Sequence, residues 1–268
     1  MSVLLHLSDT HFGTEQAPVS KALLRLAAEV RPDIALLSGD ITQRARLRQF
    51  TAAREFMDAL AAPVKLVIPG NHDIPLFDLP SRIFSPYGNY HKTFGRSLEP
   101  SFADPNLLVL CLNTTRPWRH KDGELSREQI GRVASRLQSA TSRQLRIVVV
   151  HQPIQVISDS DSVNLLHGHR DAAKRWAEAG ADLILSGHIH FPYVRMLNGS
   201  ADGRNRPVWI VSAGTAISSR VRQGHPNSVN LIRYDAQHVR RECIVERYDY
   251  HAKPERFVIA ETSRLALG

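Results

Sequence analysis

Five short apolar runs in this chain each stop at residues able to bind a metal ion, and that repetition constrains the fold more than any other feature. Val3–Leu7 leads to Asp9 and His11, Ile34–Leu37 to Gly39-Asp40, and Val64–Ile68 to Gly70-Asn71-His72-Asp73. Arg146–Val150 leads to His151, and Asp182–Leu185 to Gly187-His188-Ile189-His190. Runs this short, bounded by Gly, Pro and Asp, have the character of buried strands. Segments with helical spacing lie between them: Ser20–Val30, closed by Pro32, then about Leu47–Leu60, Ser126–Leu137 and Asp171–Ala179. Ser126 and Gln129 form a capping box at the start of the third. The alternation predicts an α/β fold, and in an open α/β sheet ligands bind where strands end and loops begin.

The rest of the chain is sorted by the same signals. Leu107–Leu112 reads as a further strand, and the tail reads as strand-rich, with Val208–Ser212, Ser228–Tyr234, Val239–Tyr248 and Arg256–Ile259. Residues 74–106 contain Pro75, Pro80, Pro86, Pro100 and Pro105 and read as an irregular surface excursion with one short helix near Leu79–Phe84. There is no internal repeat or long linker. At about 150 residues per domain, the 268 residues are expected to form a single domain over 1–268.

Composition narrows the class. An apolar share of 43% is enough for a sizeable core and excludes a disordered chain. No apolar run approaches the roughly 18 residues that span a bilayer, so no membrane partner is expected. The chain opens directly on Val3-Leu4-Leu5-His6-Leu7-Ser8, without the basic and apolar regions of a signal peptide, which makes a cytoplasmic location the expectation. Cys111 and Cys243 lie in apolar strand contexts and read as buried thiols, and no Cys-x-x-Cys occurs. The net charge is +8, and only six of 34 basic residues are lysine. Arginine is the better bidentate partner for phosphate, which leans toward a phosphate-bearing partner without deciding for one.

Each ligand group alone is ordinary: Asp-x-His is a common surface pair, Gly-Asp a turn, and His151 a plausible core histidine. Their convergence at five strand ends is the specific signal. Nitrogen and oxygen donors without thiolate favour manganese, iron or zinc. If two divalent ions share the set, one group must bridge, and a carboxylate is the natural bridge. Two such ions about 3.5–4 Å apart can share a hydroxide and clamp a phosphoryl group for in-line attack.

In this order, Asp-x-His, Gly-Asp, Gly-Asn-His-Asp, His and Gly-His-x-His, the chain resembles the calcineurin-like metallophosphoesterase superfamily across residues 3–192 and on through Ser212-Ala213-Gly214-Thr215. The resemblance implies a four-layer αββα sandwich and a dinuclear metal site. It implies Asp9, His11 and His190 on one metal, Asn71, His151 and His188 on the other, and Asp40 bridging both. It further implies His72 as general acid, with Asp73 orienting it. The Asp-Arg-Gly of the protein phosphatase branch is absent after Gly39-Asp40. The stretches Leu4–Gly13 and Ser38–Thr42 are more similar to bacterial class III cyclic-nucleotide phosphodiesterases, which implies hydrolysis of small phosphodiesters, cyclic nucleotides among them.

Candidates for substrate contact lie outside the metal set. They are Asn113 at a strand end, Arg116 in the basic loop Thr114–His120, Tyr87 in the excursion with Asn89, Tyr90 and His91, and His225. His167 and His169 mimic metal spacing but precede a helix and read as cap or surface residues. The +8 charge keeps a DNA or RNA nuclease as an alternative. A phosphomonoesterase is a second, and a non-catalytic scaffold is the poorest, since no expected ligand is missing. The strand-rich tail could also pair with a second copy to give a homo-oligomer.

Overall fold

The computed structural model describes residues 1–198, 206–222 and 224–268. Among the described residues there are twelve strands: β1 (Ser2–Leu7), β2 (Ile34–Leu37), β3 (Val64–Val67), β4 (Ser101–Ala103), β5 (Leu107–Cys111), β6 (Leu145–Val149), β7 (Leu183–Ser186), β8 (Tyr193–Met196), β9 (Trp209–Ser212), β10 (Ser228–Tyr234), β11 (Glu242–His251) and β12 (Arg256–Ala266). They form two six-stranded sheets, in the orders β12-β11-β10-β1-β2-β3 and β4-β5-β6-β7-β9-β8. Six α-helices accompany them: α1 (Ala17–Val30), α2 (Leu47–Ala59), α3 (Leu79–Phe84), α4 (Gly88–Phe94), α5 (Arg127–Gln138) and α6 (His169–Glu178).

The two-residue period of a strand builds the layers. In β1, Val3, Leu5 and Leu7 face α1 and α2, while Leu4 faces the opposite sheet. In β5, Leu108 and Leu110 face α5 and α6, while Leu107, Val109 and Cys111 meet the first sheet. Both faces of these strands are therefore covered, which is why they read as unbroken apolar runs. The result is an α/β/β/α sandwich, and both cysteines are buried free thiols within its middle layer. The Ser126 box forms as expected: Ser126 Oγ accepts from the Gln129 amide (3.1 Å) and Gln129 Oε1 accepts from the Ser126 amide (3.0 Å).

Several boundaries depart from expectation. Gly88–Phe94 is a helix where an irregular excursion was expected, and Tyr90 is a core residue whose hydroxyl donates to the Val67 carbonyl at 2.7 Å. Val239 lies fully exposed before β11, and β12 runs on to Ala266 as an edge strand. β4 and β8 are antiparallel edge strands not anticipated from the sequence. Helix α6 begins at His169 rather than Asp171, and His169 Nδ1 contacts the Leu166 carbonyl (2.7 Å), as a cap-region residue would.

The feature that positions a site is direction. β1, β2 and β3 run parallel in one sheet, and β5, β6, β7 and β9 run parallel in the other. Their carboxyl ends share one edge of the sandwich, where the loops are tied across the sheets. The Ala216 amide donates to Ser8 O (3.0 Å), the His188 amide to Asp9 Oδ2 (3.0 Å), and His151 Nδ1 to Ser38 O (2.8 Å).

Candidate active site

At this edge the strand-end residues converge on two adjoining clusters. Asp9, His11, Asp40 and His190 bring one ligand atom each within 4.8 Å of one another, and Asp40, His151 and His188 do the same beside them. His11 Nε2 lies 3.2 Å from His190 Nε2, 3.8 Å from Asp9 Oδ1 and 3.7 Å from Asp40 Oδ2. His151 Nε2 lies 3.3 Å from both Asp40 Oδ1 and Asn71 Oδ1. Bonds of about 2.0–2.2 Å to one ion leave neighbouring ligand atoms roughly 3.0–3.5 Å apart, so these spacings suit a shared cation.

Tautomers point the same way. The Nδ1 atoms of His151 and His190 donate to the carbonyls of Ser38 and Arg220, which turns each Nε2 into the cluster. The His11 and His190 Nε2 atoms lie 3.2 Å apart, close enough to face one cation. Asp9 Oδ1 and His188 Nδ1 are buried with no hydrogen-bond partner among the described residues. The donor set fits divalent cations on this chemistry, since carboxylate and imidazole ligand atoms crowd together there and His188 Nδ1 has no other partner among the described residues.

The electrostatics prepare the same donors. Burial would raise the Asp9 and Asp40 carboxyls, but the surrounding imidazoles, His190 for Asp9 and His151 for Asp40, hold both well below the usual range. Burial pushes His11 down to about 3 and, with help from His151, His188 down to about 4, so both rings are neutral ligands. His190 and His151 go the other way, and Asp9 raises His190 against the pull of burial. Burial would lower His151 as well, but Asp40 and Asp9 outweigh burial and lift it to about 9.

Tight local packing places these atoms. A Cβ on Gly70 would fall 2.3 Å from Asp40 Oδ1, and one on Gly187 would fall 1.8 Å from Ser8 Oγ and 2.6 Å from Asp9 Oδ2, so only glycine lets these loops close. Eight non-glycine residues among those described have left-handed backbone, and five are Asp9 (φ 54°), His11 (φ 41°), Asp40 (φ 48°), His188 (φ 70°) and His190 (φ 56°). Such strain, concentrated at one site, is a mark of function rather than of folding.

His72 sits at the rim, its ring 4.8 Å from that of His11 and edge-on to it. Its Nδ1 lies 3.1 Å from the Gln43 carbonyl, and its Nε2 faces Arg220 Nη1 at 3.4 Å. Asp73 does not orient that ring as expected. Its carboxylate accepts from the amides of Gly70 (2.8 Å), Ile41 (3.0 Å) and Thr42 (2.8 Å) and from the Thr42 hydroxyl (2.8 Å), which clamps the two ligand loops together.

A cavity of about 360 Å³ opens beside His72 and Asn71, lined also by Gln43, Arg44, Ile74, Leu76, His120, Lys121 and Arg220. None of the four expected substrate contacts lines it. Asn113 Oδ1 accepts from Thr115, and its Nδ2 donates to the Tyr87 hydroxyl at 3.1 Å, so the pair straps the end of β5 to α4. Arg116 spends its guanidinium on the carbonyls of Asn113 (3.1 Å) and Thr115 (2.9 Å) and on Gln129 Oε1 (2.7 Å). His225 packs edge-on against Phe191, ring centroids 4.6 Å apart. Arg220, not anticipated, does reach the site: its carbonyl holds His190 and its guanidinium bonds Gln43 Oε1 at 2.9 Å. The usable signal was its loop, which follows β9, a parallel strand end that, like that of β5, has no metal ligand assigned.

Residues 2–192 match the calcineurin-like phosphoesterase family. The chain belongs to that family. It is a metal-dependent phosphoesterase, with a candidate metal site at the strand-end edge. It is 25% identical over 186 residues to a probable cyclic nucleotide phosphodiesterase of Synechococcus sp., covering 68% of each chain. It is 24% identical over 201 residues to a probable glycerophosphodiester phosphodiesterase of Arcobacter nitrofigilis, covering 70% of this chain and 71% of the other. Among solved structures, a dimetal phosphatase from Danio rerio superposes with a TM-score of 0.69 at 14% identity, covering 100% of this chain and 99% of that one, and so shares the fold. No helix among the described residues is long and apolar enough to cross a membrane.

Proposed function

We propose that residues 1–268 form one metallophosphoesterase domain that hydrolyses small phosphodiesters at a dinuclear metal site. Asp9, His11 and His190 would hold one cation, Asn71, His151 and His188 the other, and Asp40 both. The observation that carries this is Asp40 itself: its two oxygens belong to two adjoining ligand clusters at once. Bound there, two divalent cations would supply activation of water and neutralisation of phosphoryl charge.

The chain's own groups do the rest. Gln43 O fixes the His72 ring through Nδ1, so that Nε2 can give its proton to the departing alkoxide as the phosphorus–oxygen bond breaks. Arg220 Nη1 lies 3.4 Å from that Nε2. A phosphoryl group between them would accept from both, which suits a guanidinium as partner for its oxygens. The phosphodiesterase names of the relatives support a diester over a monoester, and manganese, iron and zinc all suit the nitrogen and oxygen donors.

The test compares bis-p-nitrophenyl phosphate with p-nitrophenyl phosphate, using metal-stripped protein reloaded with manganese, iron or zinc. Metal-dependent preference for the diester is the expected result. Faster cleavage of the monoester would overturn the diester assignment, and full activity with one equivalent of metal would overturn the dinuclear one.

A further inference from the structure

Around the mouth of the His72 cavity lies a surface the catalytic reading does not use. Helix α3 has no buried side chain. Phe77, Leu79, Ile83, Phe84 and Trp118 are 78%, 60%, 69%, 85% and 72% exposed. Phe77 precedes α3, Leu79, Ile83 and Phe84 lie on it, and Trp118 lies in the adjoining loop. Arg82 of α3 donates to the carbonyls of Pro75 (3.0 Å) and Arg119 (2.7 Å), which joins the helix to the loop that carries Trp118. That surface is continuous with the cavity: Leu76 and Ile74 line the cavity just before Phe77, His120 and Lys121 line it just after Trp118, and the Arg44 guanidinium lies 5.3 Å over the Phe77 ring. Five large apolar side chains exposed together exceed the scattered exposure normal for a protein surface.

The charge around the patch decides what can cover it. Arg44, Arg82, Lys121 and Arg220 border it or the cavity, and none has a carboxylate within ion-pair distance among the described residues. Arg119 is neutralised by Glu124 at 2.8 Å. Asp78, the one acid on α3's approach, is engaged in capping Ser81. A second copy docked face to face would bring these uncompensated cations together, on a chain already at +8. An anionic bilayer would accept both components: apolar side chains into the acyl boundary and cations among the headgroups.

We propose that the α3 face docks onto an anionic lipid bilayer. Phe77, Leu79, Ile83, Phe84 and Trp118 insert at the interface, while Arg44, Arg82 and Lys121 meet acidic headgroups. Docking stands apart from the catalytic assignment. Its consequence for substrate, that the cavity receives phosphodiesters of amphiphiles lying in that surface, rests on the phosphodiesterase reading.

The test needs no turnover. The full chain is sedimented with vesicles of phosphatidylcholine containing about 30% phosphatidylglycerol, and with pure phosphatidylcholine vesicles, at low and high salt. Binding is expected to the anionic vesicles only, weakened by salt, with a blue shift in tryptophan emission. Trp176 is fully buried and Trp209 donates its indole N–H to Ala266 O, so the shift should vanish in Trp118→Phe. Phe77→Ser with Phe84→Ser should lower the partition coefficient at least about tenfold, with an unchanged melting temperature. No binding to either vesicle, or undiminished binding by the double variant, would overturn the proposal. So would a dimer in analytical ultracentrifugation that the same double variant dissolves, because the face would then belong to a second copy.

Discussion

At the scale of single residues, the candidate site separates groups that hold charge from the one placed to move a proton. His72 is tied through Nδ1 to Gln43 O and presents Nε2 to the cavity. If it protonates the leaving oxygen, His72→Ala should cost roughly 10²–10⁴-fold in kcat on alkyl phosphodiesters and far less on p-nitrophenyl esters, whose leaving group departs as a stable anion. Metal content by elemental analysis should not change. Equal losses on both substrate types would assign His72 to binding instead.

A second residue-scale prediction follows from His151, which Asp40 and Asp9 lift to about 9 against the pull of burial. At neutral pH the metal-free protein therefore holds a proton on the very ring whose Nε2 faces the cluster. A cation taking that nitrogen must displace it, so apparent metal affinity should rise as pH increases toward 9. Calorimetric titration with zinc in two buffers of different ionisation enthalpy should show proton release at pH 7. A heat independent of buffer would mean His151 is already neutral. The metal-site candidates were legible from the sequence because each sits directly after its own strand and carries a local signature. Asn113, Tyr87 and Arg116 misled for a physical reason: a polar side chain outside a strand looks the same whether it faces a ligand or is consumed by neighbours such as Thr115 and Gln129.

At the scale of elements, the loops rather than the strands carry the precision. Gly70 illustrates it: a Cβ there would lie 2.1 Å from the Asp40 amide and 2.8 Å from His151 Nε2. Gly70→Ala must therefore push the β3 loop away from the β2 loop and undo the Asp73 clamp that binds them. We expect a loss of about 1–3 kcal/mol in stability from overpacking, and reduced metal occupancy in the fraction that folds. A variant with wild-type melting temperature and full metal content would show that the clamp tolerates displacement. Strands and main helices were legible because covered strands give continuous apolar runs and α1, α2 and α5 show a 3.6-residue period. Helix α4 was not, because its Tyr90 and Phe94 are spaced among Gly88, Asn89 and Lys92, residues that also suit a loop. The Arg220 contact was hidden for another reason: it joins β9's loop to His72 and Gln43, far away in the chain, and no local pattern encodes it.

At the scale of the whole molecule, the part that matches the family and the part that must fold are different lengths. The match ends at residue 192, yet β9 pairs with β7 inside the second sheet and β10 pairs with β1 inside the first. Without them, β1 and β7 would each lose a neighbour, Leu4 and Leu185 would lose facing residues such as Ile232 and Val211, and the middle layer would open to water. The ligand edge would suffer as well, because the Ala216–Ser8 tie and the Arg220 carbonyl on His190 both come from the later segment. A fragment of residues 1–192 is therefore expected to lack cooperative thermal unfolding and near-ultraviolet circular dichroism, and to bind zinc no better than the unfolded full-length chain. Retention of a sharp transition and of tight metal binding would mean that the first 192 residues close their own core, and that the final strands are an addition to the domain rather than part of it.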